Sequence, residues 1–271
     1  MAANLAIDSG LTRIAADTAG RGAPVVFLHA GVADRRMWGA QLPAVADLGF
    51  LAVAYDRRGF GETLHADERY SQVGDLCAVL DAVAPREPAV LVGCSQGGRI
   101  AVDAALAVPH RVRALVLVAP AVGGAPEVTD FPPAIRRWIE RMEAADAAAD
   151  VDAVNALEAH AWLDGPLSAE NRVSGHPRDL FLEMNELALR AELRGTEDAP
   201  PPAYARLPEI VAPALVVWGD LDFPNIGAAC EHLAAALPRA RALRLPNVAH
   251  LPSLEAPAAF NAALLDFLRN L

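Results

Sequence analysis

Ser95 stands at the apex of a turn that the sequence alone defines. Residues 89–93 are a short run that is apolar up to Gly93, and Cys94-Ser95-Gln96 follows. Gly97 and Gly98 then lead into residues 99–106, where apolar side chains recur at helical spacing. Strand, sharp turn and helix with serine between them meet the physical requirement of a nucleophile elbow. Such a turn strains the serine backbone and lifts its Oγ above the sheet edge. Side chains two residues before and after would collide, and Gly93 and Gly97 remove that conflict. The same glycines could serve a turn that only packs, or a phosphate cradle; the strand–helix context favours the nucleophile.

A serine alcohol needs a base to take its proton and a third group to orient that base. Downstream the chain offers Asp220 and Asp222 in Trp-Gly-Asp-Leu-Asp-Phe-Pro, then His250 in Leu-Pro-Asn-Val-Ala-His-Leu-Pro. An acid after a strand is commonly a helix cap or a surface charge, and spacing does not choose between the two aspartates. A lone loop histidine is more often solvated or packed. Its place after serine and acid is what makes His250 the candidate base. Together they supply what acyl transfer needs.

These groups require a scaffold, and the chain alternates apolar runs with helical periods. Residues 5–7 and 11–16 predict a hairpin around Ser9-Gly10. Residues 24–28 are continuously apolar, as a buried parallel strand is, and end at His29-Ala30-Gly31-Val32. A helix over about 38–48, a strand at 51–55, the loop Asp56-Arg57-Arg58-Gly59-Phe60-Gly61 and a helix over 70–83 precede the elbow strand. Residues 112–118 give another buried strand. From there to about Pro208 the strand pattern stops, and residues 135–149, 151–162 and 178–193 read as amphipathic helices. Strand 214–218, helix 226–237, strand 242–245 and helix 258–268 close the chain.

Strands alternating with helices predict the α/β class, a mostly parallel central sheet with helices on both faces. Residues 1–122 and 206–271 form the expected core domain, and the strandless helical block is expected to lie over one edge as a lid. In an open sheet of this kind, functional groups gather at the carboxyl ends of the strands. His29, Asp56, Ser95, Asp220, Asp222 and His250 all fall there.

Composition narrows the class of function. With 271 residues, 54% hydrophobic and 21% charged, the chain is long and apolar enough for one large domain or a core with an insertion, and is not disordered. The net charge is −11 and all 23 basic residues are arginine, which argues against nucleic acid or an anionic membrane as partner. The absence of lysine excludes Schiff-base chemistry and a lysine base. Cys77, Cys94 and Cys230 are too far apart for a metal motif and odd in number, so a reducing cytoplasm fits. Asp8, Arg13 and Asp17 interrupt any signal-peptide core, and no apolar run is long enough to span a bilayer.

The successive motifs Leu28-His29-Ala30-Gly31, Asp56-Arg57-Arg58-Gly59-Phe60-Gly61, Gly93-Cys94-Ser95-Gln96-Gly97-Gly98, Gly219-Asp220-Leu221-Asp222 and Ala249-His250-Leu251-Pro252 resemble the signatures of the α/β-hydrolase superfamily, in its serine-nucleophile, esterase-like branch. The resemblance covers nearly the whole chain. It implies Ser95 as nucleophile, Asp222 rather than Asp220 as acid, His250 as base and residues 123–205 as a helical cap. It places the oxyanion hole at the backbone amides of Gly31 and Gln96. The family usually has His-Gly where this chain has His29-Ala30, and alanine allows fewer backbone conformations. His29 is read as structural, and the Asp56–Gly59 loop is given no catalytic role.

The implied activity is hydrolysis of a carboxylic ester or lactone through an acyl-enzyme, with no metal and no organic cofactor. Serine at the elbow argues against haloalkane dehalogenases and epoxide hydrolases, which attack with a carboxylate. The lack of lysine removes the lysine-assisted hydroxynitrile lyases. Carbon–carbon hydrolysis of diketone-type ring-cleavage products, enol-lactone hydrolysis and cofactor-free perhydrolysis would use the same residues. A ligand-binding receptor on the same fold is the reading from outside enzymology. Trp138, Met142, Trp162, Phe181 and Met184 are candidates for a pocket roof that takes a small or medium apolar substrate, although helix-face packing explains each of them too.

Overall fold

The structure is a computed structural model that describes residues 3–271; residues 1 and 2 of the expected core lie outside the described residues. In chain order its elements are β1 (Ala3–Ser9), β2 (Thr12–Gly20), β3 (Pro24–Leu28), α1 (Gln41–Asp47), β4 (Leu51–Tyr55), β5 (Arg69–Tyr70), α2 (Gln72–Val83), β6 (Ala89–Cys94), α3 (Gln96–Ala107) and β7 (Val112–Val118). Then follow α4 (Pro133–Ala147), α5 (Val151–Glu158), α6 (His176–Leu189), β8 (Thr196–Glu197), β9 (Ala214–Gly219), α7 (Pro224–Ala236), β10 (Ala240–Leu245), α8 (Pro252–Glu255) and α9 (Pro257–Arg269).

Eight strands make one sheet in the order β1-β2-β4-β3-β6-β7-β9-β10. From β4 to β10 every neighbouring pair is parallel, while the β1–β2 hairpin joins antiparallel. The hairpin turns at Gly10, with φ +60°. Strand order reverses between β3 and β6, because the chain steps outward one way to β4 and the other way to β7, β9 and β10. Crevices at such a switch point are where open α/β sheets bind ligands.

The central strands are apolar throughout because both of their faces are covered. Alternate residues of β3, Val26 and Leu28, face a core built with α2, α3 and α7. Val25 and Phe27 face the opposite core, built with α1 and α9. This two-sided burial is the reason the runs read as continuous rather than alternating.

The structure differs locally from the sequence reading in three places. The expected helix over 38–48 divides into a 3₁₀ turn at Arg35–Trp38, capped by the Asp34 carboxylate on the Arg36 amide at 2.9 Å, and α1 beyond Gly39. The end of the expected helix at 151–162 widens into a π turn over Ala159–Asp164. β5 and β8 form a separate two-stranded parallel pair, and two residues are too few to show a period of two. Among the described residues no helix is long and apolar enough to cross a membrane.

Arg58 ties the hairpin to the sheet's flank. Its guanidinium grips Asp75 of α2 through two bonds of 2.8 and 2.9 Å, and reaches Glu68 at 2.6 Å, Thr12 at 2.7 Å and the Ser9 carbonyl at 3.0 Å. The Arg58 and Asp75 side chains are only 2% and 3% exposed. Removing one partner of such a buried pair strands the other charge away from water. Arg58→Met is therefore expected to cost about 3–5 kcal/mol in urea unfolding; a loss under about 1 kcal/mol would show that Asp75 is solvated without it.

Candidate active site

The elbow has the strained geometry that its glycines anticipate. Ser95 links β6 to α3 with φ 52° and ψ −113°, a left-handed backbone that a non-glycine residue rarely adopts. The turn is held by bonds on both sides of the serine. The Ser95 amide donates to the Val118 carbonyl at 2.9 Å, and the Ser95 carbonyl accepts from Arg99 at 3.0 Å and Ala121 at 3.1 Å. A Cβ at Gly93 would overlap the Gly97 carbonyl, and one at Gly97 would overlap the Leu28 carbonyl. The side chain of Ser95 is thereby left half-buried at the carboxyl edge of the sheet.

His250 and Asp222 meet at the ends of β10 and β9. The imidazole Nδ1 and Asp222 Oδ2 are 2.6 Å apart, with side chains 3% and 1% exposed. Asp222 Oδ1 accepts from the Phe223 amide at 2.7 Å, which fixes the carboxylate's rotation. Asp220, the other acid, instead accepts from the Asn247 amide at 2.6 Å and so ties the loop after β10 to the end of β9. The two aspartates that spacing could not separate have different partners.

The loop carrying His250 is braced from the helical segment. The Trp162 carbonyl accepts from the His250 amide at 3.3 Å, and the indole lies 4.7 Å from the imidazole, centroid to centroid. Arg172 bonds the carbonyls of Asp164 at 2.6 Å, Leu163 at 2.9 Å and Asn247 at 3.3 Å, and pairs with Glu255. Glu255, in turn, accepts from the Ala249 amide at 2.8 Å. Sequence reasoning missed Arg172 and Glu255; they lie 83 residues apart, so no local pattern could connect them.

Gly31 follows the end of β3, next to β6 in the sheet. Among the described residues neither the Gly31 amide nor the Gln96 amide donates to another protein group. His29 is fully buried and its ring is doubly bonded: Nδ1 lies 2.7 Å from the Ala30 carbonyl, and Nε2 accepts from the Arg57 amide at 3.0 Å. Those partners require the neutral ring with its proton on Nδ1. Burial, with the Arg57 charge adding to it, holds the His29 pKa well below the ordinary histidine value.

Ser95 and His250 open into one cavity of about 350 Å³. Its lining is largely apolar, with Val122, Trp162, Leu207 and Ile226, and the polar residues beside Ser95 and His250 are Tyr204, Asn225 and His232. Asn225 Oδ1 is buried there without a partner. No sequence signal pointed to these three residues. Size alone does not mark the site: a cavity of about 540 Å³ contains neither Ser95 nor His250, although Gln96 and Arg57 line it.

Of the five expected roof residues, Trp162 alone lines the cavity with Ser95. Trp138 packs edge-on against Phe223 and donates to the Leu157 carbonyl at 3.0 Å. Met142 packs with Ala145, Val154 and Leu157 between α4 and α5. Phe181 and Met184 are fully buried in the core on the α1–α9 face. An apolar stripe on a helix reads the same whether it meets a neighbouring helix or an open cavity.

A mostly parallel, two-sided sheet with a strained serine turn at its switch point is the α/β-hydrolase fold. Residues 25–263 match the alpha/beta hydrolase family, and the chain belongs to it. It is similar to the 2-hydroxy-6-oxononadienedioate/2-hydroxy-6-oxononatrienedioate hydrolase of Comamonas testosteroni, with 28% identity over 269 residues, 95% of this chain and 92% of that one. Among solved structures it resembles Est816, described as an N-acyl homoserine lactone degrading enzyme. That pair has 26% identity and a TM-score of 0.75 over 97% of this chain and 100% of the other. The bromoperoxidase of Bacillus anthracis is alike in fold, with a TM-score of 0.77 over 98% of this chain and 100% of that one at 22% identity.

The buried neutral His29 gives the fold an acid dependence. As pH falls through about 6.5 the unfolded chain protonates this ring while the folded chain does not. Stability that is fully present above that pH is therefore lost below it, by at most about 1.4 kcal/mol per pH unit. The gap in unfolding free energy between the wild type and His29→Gln is expected to shrink from pH 7.5 to pH 5.5. A gap that stays constant across that range would show the ring titrating alike in both states.

Proposed function

We propose that this chain is a serine hydrolase that cleaves carboxylic esters or lactones of small to medium size through an acyl-enzyme. The observation that carries the reading is the shared cavity. A strained serine and an aspartate-bonded histidine open into the same largely apolar space of about 350 Å³.

In this mechanism His250 takes the Ser95 proton at Nε2 as Oγ attacks the ester carbonyl. The Asp222 carboxylate on Nδ1 keeps the imidazole in the tautomer that leaves Nε2 able to accept, and stabilises the imidazolium that forms. The amides of Gly31 and Gln96 receive the oxyanion. The tetrahedral intermediate collapses as His250 returns the proton to the leaving alkoxide. Water, deprotonated by the same base, then attacks the acyl-enzyme and releases the acid. All groups required are side chains and amides of this chain. Residues 123–205 act as a cap, and Trp162, Tyr204 and Asn225 contribute specificity.

Carbon–carbon hydrolysis and perhydrolysis need the same constellation, and the relatives include a dienedioate hydrolase and a bromoperoxidase by name. The lining disfavours a dianionic substrate: no arginine is among the residues around the cavity that holds Ser95. A dicarboxylate would enter it without a counter-charge. Action in the cytoplasm on a free small molecule completes the reading.

Nitrophenyl esters of increasing acyl length test it. The wild type is expected to turn over short and medium chains best, and Ser95→Ala to lose the activity. Asp222→Asn is expected to lower kcat by about 10⁴-fold, because the amide no longer favours the productive tautomer, while Asp220→Asn keeps most of it. Turnover by Ser95→Ala equal to the wild type would overturn the nucleophile. Tight binding of the esters without turnover by the wild type would favour a receptor.

A further inference from the structure

We propose that Arg57 is a positioning residue of the oxyanion hole: its guanidinium clamps the Ala30–Gly31 peptide and holds the Gln96 side chain over it, so that the Gly31 amide faces the reacting oxygen beside that of Gln96. This rests on the hydrolase reading above and assigns work to a loop residue that the sequence left without a role.

The Ala30 carbonyl and the Gly31 N–H belong to one planar peptide unit, so whatever fixes the carbonyl also fixes the direction of the N–H. Three donors hold that carbonyl: the His29 ring at 2.7 Å, Arg57 Nη2 at 3.2 Å and the Ala33 amide at 3.4 Å. The Arg57 amide donates in turn to His29 Nε2, so ring and guanidinium brace one another. On its other branch Arg57 Nη1 donates to Gln96 Oε1 at 3.1 Å. The Gln96 amide group lies directly over Gly31, where an added Cβ would come within 2.7 Å of Nε2. One guanidinium therefore touches the peptide of one candidate donor and the side chain of the other.

Stability does not account for this cation. Arg57 is 3% exposed, and among the described residues no carboxylate comes within ion-pair distance of it. Its Nε has no partner, and its guanidinium lies over the Phe60 ring at 4.4 Å. Burial lowers its pKa only to about 10, so it stays charged at neutral pH. A buried charge without a direct ion pair is costly, and Glu197, across the neighbouring cavity, attracts Arg57 only at longer range, whereas the adjacent Arg58 is fully paired. A fixed cation behind the Gly31 amide becomes favourable when negative charge develops on the substrate oxygen, since it needs no rearrangement at that moment. Donation to the Ala30 carbonyl also polarises the peptide and strengthens its N–H as a donor.

The test compares wild type, Arg57→Met, Arg57→Lys and Ser95→Ala on one nitrophenyl ester. It adds inhibition by a trifluoromethyl ketone, which forms an oxyanion adduct on serine, and thermal unfolding. Arg57→Met is expected to lower kcat by about 10–100-fold with KM unchanged. Ketone affinity should fall by the same factor, with a melting temperature at or above that of the wild type. Arg57→Lys, which keeps the charge but not the fork, should recover part of kcat. Unchanged kcat and ketone affinity in Arg57→Met would overturn the proposal. So would a raised KM alone, or a protein that does not fold, since either makes Arg57 a binding or structural residue. Inactive wild type would remove the hydrolase reading and this inference together; active wild type with dead Ser95→Ala and normal Arg57→Met would remove only this one.

Discussion

The site depends on a single backbone conformation, the left-handed Ser95 turn between β6 and α3. A conformation of this kind costs on the order of 1–3 kcal/mol and persists only where the surroundings over-determine it. Here they do so from three directions. The Ser95 amide and carbonyl are bonded to Val118, Arg99 and Ala121. The chain on either side packs so closely that only Gly93 and Gly97 fit, and β6 lies between β3 and β7 in a sheet covered on both faces. The same packing brings the end of β3, with Gly31, beside the elbow. Strain at the serine and placement of Gly31 are two results of one close approach of backbones, since Gly97 abuts the Leu28 and His29 carbonyls.

What was legible in the sequence is what local chemistry determines. A parallel strand buried on both faces must be a continuous apolar run, so β3, β6, β7 and β9 could be read almost to the residue. The elbow needs glycine at fixed offsets, and the order of serine, acid and histidine follows from the order of the strands. What was illegible depends on partners far away in the chain. Arg57 and Arg58 are neighbours of identical type, yet Arg58 pairs with carboxylates 10 and 17 residues on and, among the described residues, Arg57 with none. Trp162 and Trp138 share an apolar face pattern, and only their tertiary surroundings send one to the cavity and the other to Phe223.

The helical segment is not an independent cover laid over the sheet. Its π turn ends with carbonyls that the helix itself cannot satisfy, and these accept from His250 and Arg172. Asp164, fully buried, accepts from the Asn171 and Val173 amides and pairs with Arg178, which folds residues 164–178 back on themselves. The histidine loop and the end of the π turn are therefore one hydrogen-bonded unit.

That unit constrains how a substrate can enter. Lifting residues 159–173 away from the core would break the bond to the His250 amide, separate Trp162 from the imidazole and leave Glu255 buried without Arg172. A movement that exposes the cavity in this way would also dismantle the proposed base. The cavity is also lined from residues 121–128 and from Ala229 and His232 of α7, and the lining residues Pro126, Val128 and His232 are solvent-exposed. The Ala121 amide anchors the start of that segment to Ser95, and the Gly123 carbonyl accepts from the Ala203 and Tyr204 amides. Entry past residues 122–128 would leave the histidine, its aspartate and the elbow undisturbed.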